Sequence, residues 1–200
     1  ILFNLLLTIA QGNTYYVDTD AVSEGVGTIG DPFKTITYAI SKMSGGDTIY
    51  IREGIYNERV YPYHKHGTAE DPTVFAAYNS EDVIIDGTGI VVTPGQGLVH
   101  LVGEYNQIRD IEIRDANMGS EGTEGNGLYL NGKHSVAYNC EVHNCWNAGI
   151  LAIRDYCEIL YCTVYDVSMR CEGNFPGCGA WSNAIRLCGA PGESGDTRGN

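Results

Sequence analysis

The phrases Trp146-Asn147-Ala148-Gly149-Ile150 and Trp181-Ser182-Asn183-Ala184-Ile185 each set an indole and an amide just ahead of a short apolar run, and Arg186 falls inside the second run. An indole offers a flat apolar face to a sugar ring, an amide both donates and accepts, and a guanidinium grips a carboxylate through a planar fork. Tyr129, in the related run Gly127-Leu128-Tyr129-Leu130, adds another ring. These types together fit a ligand rich in hydroxyls and carboxylates, with Tyr129, Trp146, Asn147, Trp181 and Asn183 as candidate contacts. Each also has a plainer use: asparagine before a strand serves the turn, and a loop tryptophan covers the edge of a core.

Two other motifs carry less. Tyr63-His64-Lys65-His66 places two imidazoles two positions apart with no third ligand evident nearby, which reads as a solvated turn. The glycine-rich stretch at 121–127 lacks the strand before and helix after that a phosphate loop needs, and reads as an insertion.

The chain has 200 residues, 43% of them hydrophobic and 26 of them glycine, which fits one turn-rich globular domain. Its net charge of −13 excludes nucleic acid as a partner, since no basic stripe is present to displace counterions. An anionic ligand therefore needs a local group of cations or a bridging metal ion. Residues 1–12, ILFNLLLTIAQG, resemble the apolar region of an export signal and are too short for a membrane span, which needs about 20 residues. A secreted or cell-surface protein is expected, with a first buried strand as the other reading of this segment. Export permits disulfides. Of the seven cysteines, Cys171 and Cys178 are expected to close the loop between them, and the odd number leaves at least one thiol free.

The elements that must position the candidate residues are repeated. QIRDIEIRDA, VAYNCEVHNC and EILYCTVYDV align so that Ile111, Cys140 and Cys162 share a column, as do Ile113, Val142 and Val164, and Asp115, Asn144 and Asp166. Apolar and polar residues alternate at period two, and the last two phrases lie 22 positions apart, as do GLYL at Gly127 and GILA at Gly149. Each repeat thus holds at least two short strands. A strand pair of this size cannot bury its inner face alone, but stacking successive turns about 4.8 Å apart makes a continuous core, so an all-β parallel solenoid is predicted over residues 13–200. The third column reads as Asx turn positions, and Cys140 and Cys162 as stacked inward thiols that are not bonded. Upstream, Asp31 as N-cap, Pro32 at the first position and Phe33, Ile36, Ile40 and Met43 at helical spacing predict a helix of about three turns capping the first coil, followed by strands at 47–51 and 83–87.

The phrases TYYVD at 14–18, PFKTI at 32–36, GDTIYI at 46–51, REGIYNERV at 52–60, GTAEDP at 67–72 and VIIDG at 83–87 resemble the opening of right-handed parallel β-helix proteins of the pectate-lyase type, polysaccharide lyase family 9 above all. The resemblance implies a sugar-binding cleft across GLYL, GILA and AIRL, with His100, Tyr129, Leu151 and Arg186 facing out and Leu101, Leu130, Ala152 and Leu187 facing in. It also implies β-elimination on an acidic polysaccharide, where a basic side chain takes the proton α to a uronate carboxylate and Ca²⁺ held by aspartates neutralises that carboxylate. The family's base motif reads roughly ADGFAxK, where this chain has SNAIRLC, so Arg186 is the candidate catalytic residue. Asn147 and Asn183 stand where aspartates belong, leaving Asp166 and Glu172 as candidate ligands for Ca²⁺. The rival expectation is a non-catalytic structural or adhesive β-helix, self-associating end to end or through its apolar N-terminus. The absence of a helix after the last coil reads as a solenoid incomplete at that end.

Overall fold

Three to five alternating residues make a strand but not a core, and in the computed structural model the strands are brought together by coiling. The structure describes residues 12–93, 95–116, 125–167 and 184–187. Three parallel sheets run the length of the coil. The first holds β1 (Thr14–Val17), β2 (Thr48–Ile51), β4 (Thr73–Ala77), β7 (Asn106–Arg109), β10 (Val136–Tyr138) and β13 (Glu158–Leu160). The second holds β3 (Gly54–Tyr56), β5 (Val83–Asp86), β8 (Glu112–Arg114), β11 (Glu141–Cys145) and β14 (Thr163–Val167). The third, formed by β6 (Gly97–Leu101), β9 (Asn126–Leu130), β12 (Ile150–Ala152) and β15 (Ile185–Leu187), carries the candidate site. Each full coil therefore has three strands, one more than the minimum the phrases required.

Register carries the repeat into three dimensions. Ile113 pairs with Val142 and Val142 with Val164, as the alignment predicts, and Ile113 and Val142 are fully buried. In the first sheet Ile49, Phe75, Ile108 and Ala137 stack in the same way, each without exposed surface. The Asx column is a column of left-handed backbone, with φ of 54° at Asp115, 51° at Asn144 and 46° at Asp166. Short polar side chains tolerate that region where branched ones do not.

The glycines of GLYL and GILA are there for space. A Cβ on Gly127 would stand 2.5 Å from Val142 Cγ1 and 2.7 Å from Cys145 Sγ, and one on Gly149 would stand 2.3 Å from Val164 Cγ1. The second and third sheets meet too closely there for any side chain.

The helix is shorter than the sequence pattern suggests. α1 covers Ile36–Lys42, with Thr35 as N-cap accepting from the Tyr38 amide at 3.1 Å. Asp31 and Pro32 do not begin it, because Phe33 is recruited by β1: its amide donates to Tyr16 and its carbonyl accepts from Asp18, both at 2.9 Å. The Glu58 carboxylate takes the Ile36 and Thr37 amides at 2.8 and 2.7 Å, closing the helix N-terminus from a neighbouring coil. Ile36, Ala39 and Met43 are buried in the same core as Val17 and Ile49, so the helix does cover the first coil.

Cys140 and Cys162 are adjacent in register and both are free thiols, as expected for stacked inward positions. The Cys171–Cys178 pairing and residues 1–11 lie outside the described residues. The Cys140 thiol is pushed up by its hydrogen bond with Cys162 and by burial, while that of the half-buried Cys162 is drawn down by Cys140.

Two expectations follow from this packing. Gly127→Ala lowers the denaturation midpoint, at a cost of about 1–3 kcal/mol for overpacking a core; an unchanged midpoint would mean that the sheets can part without penalty. In the native protein with limiting iodoacetamide, Cys162 is alkylated before Cys140, read by mass spectrometry of the separated peptides. Equal labelling would contradict this ordering of the thiols.

Candidate functional site

Along the outer face of the third sheet the register sets His100 beside Tyr129, Tyr129 beside Leu151 and Leu151 beside Arg186. The inner row is Leu101, Leu130, Ala152 and Leu187. Both rows fall as the resemblance implied. The outer row differs in being covered: His100, Tyr129 and Leu151 are only 4%, 6% and 6% exposed.

The cover begins with Tyr61. Its ring lies 5.2 Å from the His100 ring, which stacks on Tyr129 at 4.4 Å on its other side. The Arg59 guanidinium sits over Tyr61 at 4.9 Å, donating to the Gly97 carbonyl at 3.1 Å and to Gln96 Oε1. On the far side Arg154 Nε donates to Asn131 Oδ1 at 3.1 Å, and Asn131 Nδ2 faces His100 Nε2 at 3.3 Å. Burial, with the Arg59 charge adding to it, draws the His100 imidazole down to about 4, so it is neutral at neutral pH.

Among the described residues neither Arg59 nor Arg154 makes an ion pair, whereas Arg52 is 2.7 Å from Glu81 and Arg114 is 2.9 Å from Asp86. The first two cations are held by neutral acceptors, which orient them without cancelling their charge. The opposite arrangement lies at the corner between the first and second sheets. There a groove of about 520 Å³ is lined by Glu81, Asp82, Asp110, Glu112 and Glu141, with no lysine or arginine.

The sequence candidates divide. Tyr129 was expected to offer an open ring, but it is buried and stacked on His100. Asn147, 2% exposed, builds the corner instead of facing solvent: its Nδ2 donates to Asn126 Oδ1 at 3.0 Å, while Asn126 Nδ2 donates to the Gln96 carbonyl at 2.8 Å. This is the plainer reading of asparagine before a strand. The Asn147 Oδ1 atom and the Trp146 indole N–H are nevertheless buried without a partner among the described residues. Arg186 is partly exposed at the end of the outer row, and Asp166 is exposed in the Asx column. Trp181, Asn183 and Glu172 lie outside the described residues. Among the described residues no three His, Cys, Asp or Glu side chains come together as a metal site.

Arg59, Tyr61, Asn131 and Arg154 escaped the sequence reading. Arg59 and Tyr61 flank Val60, which joins the third sheet by a single bridge to Val99 and so has no periodicity to read. Asn131 and Arg154 fall just after strands, and aligning the repeats sets them opposite Ile153 and Gly132, so no column marks them.

A family model described as "Pel9A-like, right handed beta helix region" matches residues 15–183. Pectate lyase PEL9 of Emericella nidulans is 34% identical over 110 residues, covering 49% of this chain and 27% of that protein. The uncharacterized protein YwoF of Bacillus subtilis is 31% identical over 130 residues, covering 62% of this chain and 27% of that one. The chain thus spans about a quarter of the length of these relatives. The crystal structure of pectate lyase Pel9A aligns with a TM-score of 0.54 at 16% identity, over 80% of this chain and 49% of that one. A GH136 lacto-N-biosidase from Eubacterium ramulus aligns with a TM-score of 0.53 at 18% identity, over 74% of this chain and 30% of that one. At such identities the two structures speak for the fold alone. The family match covers most of the chain, its three parallel sheets are what that family model describes, and the chain belongs to the Pel9A-like right-handed β-helix family.

Proposed function

We propose that this chain binds acidic polysaccharide across the outer face of the third sheet and cleaves it by β-elimination, working outside the cell. The observation that carries the reading is the pair of guanidiniums, Arg59 and Arg154, held by neutral acceptors at either side of the His100–Tyr129 stack in a chain of net charge −13. Cations without carboxylate partners on such a protein are a place for a carboxylate. The pectate lyase among the sequence relatives supports a uronate polymer as the substrate class. No helix among the described residues is long and apolar enough to cross a membrane.

For the reaction, a uronate carboxylate held by guanidiniums has its negative charge partly neutralised, which makes the α-proton easier to remove. Arg186, on the outer row and in the place of the family's basic residue, is the candidate to receive that proton. A guanidinium can do so only where its surroundings strip its own proton. Ca²⁺ held by Asp166 together with Glu172 would supply further neutralisation; Asp166 is exposed in the left-handed column, and Glu172 lies outside the described residues. The arginines supply charge neutralisation in this reading. The second reading, a non-catalytic adhesive or structural β-helix that self-associates end to end, takes its support from Asn147, which serves the corner in a position where the family has an aspartate.

The test is a screen of polyuronates, with and without Ca²⁺, following absorbance near the ultraviolet edge from the new double bond, together with retention on the same polymers. Binding and rising absorbance are expected. Arg154→Gln and Arg59→Gln should each weaken polyuronate binding by about tenfold or more and leave neutral glycans unaffected. Retention without absorbance favours the adhesive reading, and no retention on any polyuronate removes the proposal.

A further inference from the structure

The hydrogen bonds around His100 fix which of its nitrogens carries the proton. Arginine only donates, so the Asn131 atom 3.1 Å from Arg154 Nε is the amide oxygen. The amide nitrogen therefore faces His100 Nε2 at 3.3 Å and donates to it. Nε2 must be the bare nitrogen, and the neutral ring must carry its hydrogen on Nδ1. A second proton would set two donors against each other at Nε2, so the contact and the burial of the ring favour the same state.

Among the described residues that Nδ1–H has no partner, and it has no exposed surface. Leaving a buried donor unpaired is costly, and such groups are uncommon in folded proteins unless a ligand or water completes them. His100 also sits where the charge is unbalanced, between Arg59 and Arg154. We propose that the His100 Nδ1–H, aligned by the Arg154–Asn131 relay, is a hydrogen-bond donor to a carboxylate oxygen of a bound uronate, and that this makes His100 a specificity-determining residue of the site. The inference rests on the reading of the third sheet's outer face as the polysaccharide site. Of the two rings against the imidazole, Tyr129 is held by a strand while Tyr61 lies in the connection between β3 and β4.

A purely structural histidine and a ligand donor respond in opposite ways to His100→Phe. The phenyl ring keeps the stack between the tyrosines and removes the orphan donor. The variant should therefore melt at or above the parent temperature while binding tetragalacturonate about tenfold more weakly. Nitrogen-15 correlation spectra of the free parent at pH 7 should show His100 with its proton on Nδ1, and tetragalacturonate should shift that proton downfield. Asn131→Asp, close in shape, replaces the donor facing Nε2 by an acceptor and should move the ring proton to Nε2. Unchanged affinity in His100→Phe, or an Nε2–H tautomer in the free parent, overturns the proposal and leaves the polyuronate reading standing. If the parent itself binds no polyuronate, that reading falls and this one with it.

Discussion

Everything in this structure depends on one constraint: each coil must lay its residues directly on those of the coil before it, at the spacing of hydrogen-bonded parallel strands. Inside, the constraint makes columns of like apolar residues such as Ile113, Val142 and Val164. Outside, it makes ladders. Tyr105, His134 and Tyr156 stack with centroids 4.5 and 4.7 Å apart, each with a left-handed backbone, and His143 stacks on Tyr165 at 4.7 Å. Asn139 reaches down to Asp110 at 2.8 Å. A residue in such a coil is chosen as much by what lies above and below as by its neighbours in sequence.

The same constraint distributes charge. Glu112 and Glu141 fall in one register row, where like charges oppose each other, and the cost is offset locally: Arg114 and His143 lie 3.1 and 3.2 Å from Glu112, and Tyr165 donates to Glu141 at 2.6 Å. The second sheet thus consumes its cations and tyrosine hydroxyls in holding itself together. Arg59 and Arg154 are spared that duty, since amides and carbonyls hold them. The guanidiniums held by neutral groups, Arg109 on Gln107 among them, lie outside the second sheet.

What could be read from the sequence follows from this physics. The core columns and the inward and outward rows of the third sheet were legible because strand alternation and the 22-residue spacing both survive as patterns. The helix start was not, because Phe33 satisfies both a helical spacing and a strand pairing, and only the position of β1 decides between them. The burial of Tyr129 was hidden for a similar reason. Alternation says that a side chain leaves the core, not that it reaches water, and His100 from the coil before stacks on Tyr129 while Ala148 and Leu151 pack against it. Arg59 and Arg154 gave no periodic signal because neither lies within a strand.

Irregular positions are where a solenoid can differ from its relatives without losing its core. A change at Val142 alters the stack above and below it, whereas Asn131 or Arg154 can change while the strands on which they hang keep their register. The departures from the family pattern fit this division. The inward rows match the fold, while Asn147 has been drawn into the corner through its bond to Asn126, and Arg59 and Arg154, like Arg109 in the first sheet, are held by neutral acceptors. Among the described residues, buried polar atoms without partners fall on His100, Trp146 and Asn147, on or beside the third sheet, and on Asn106 in β7, and none falls in the apolar columns. Unsatisfied groups in the columns would weaken every coil at once; at the rim their cost is local, and a ligand can relieve it.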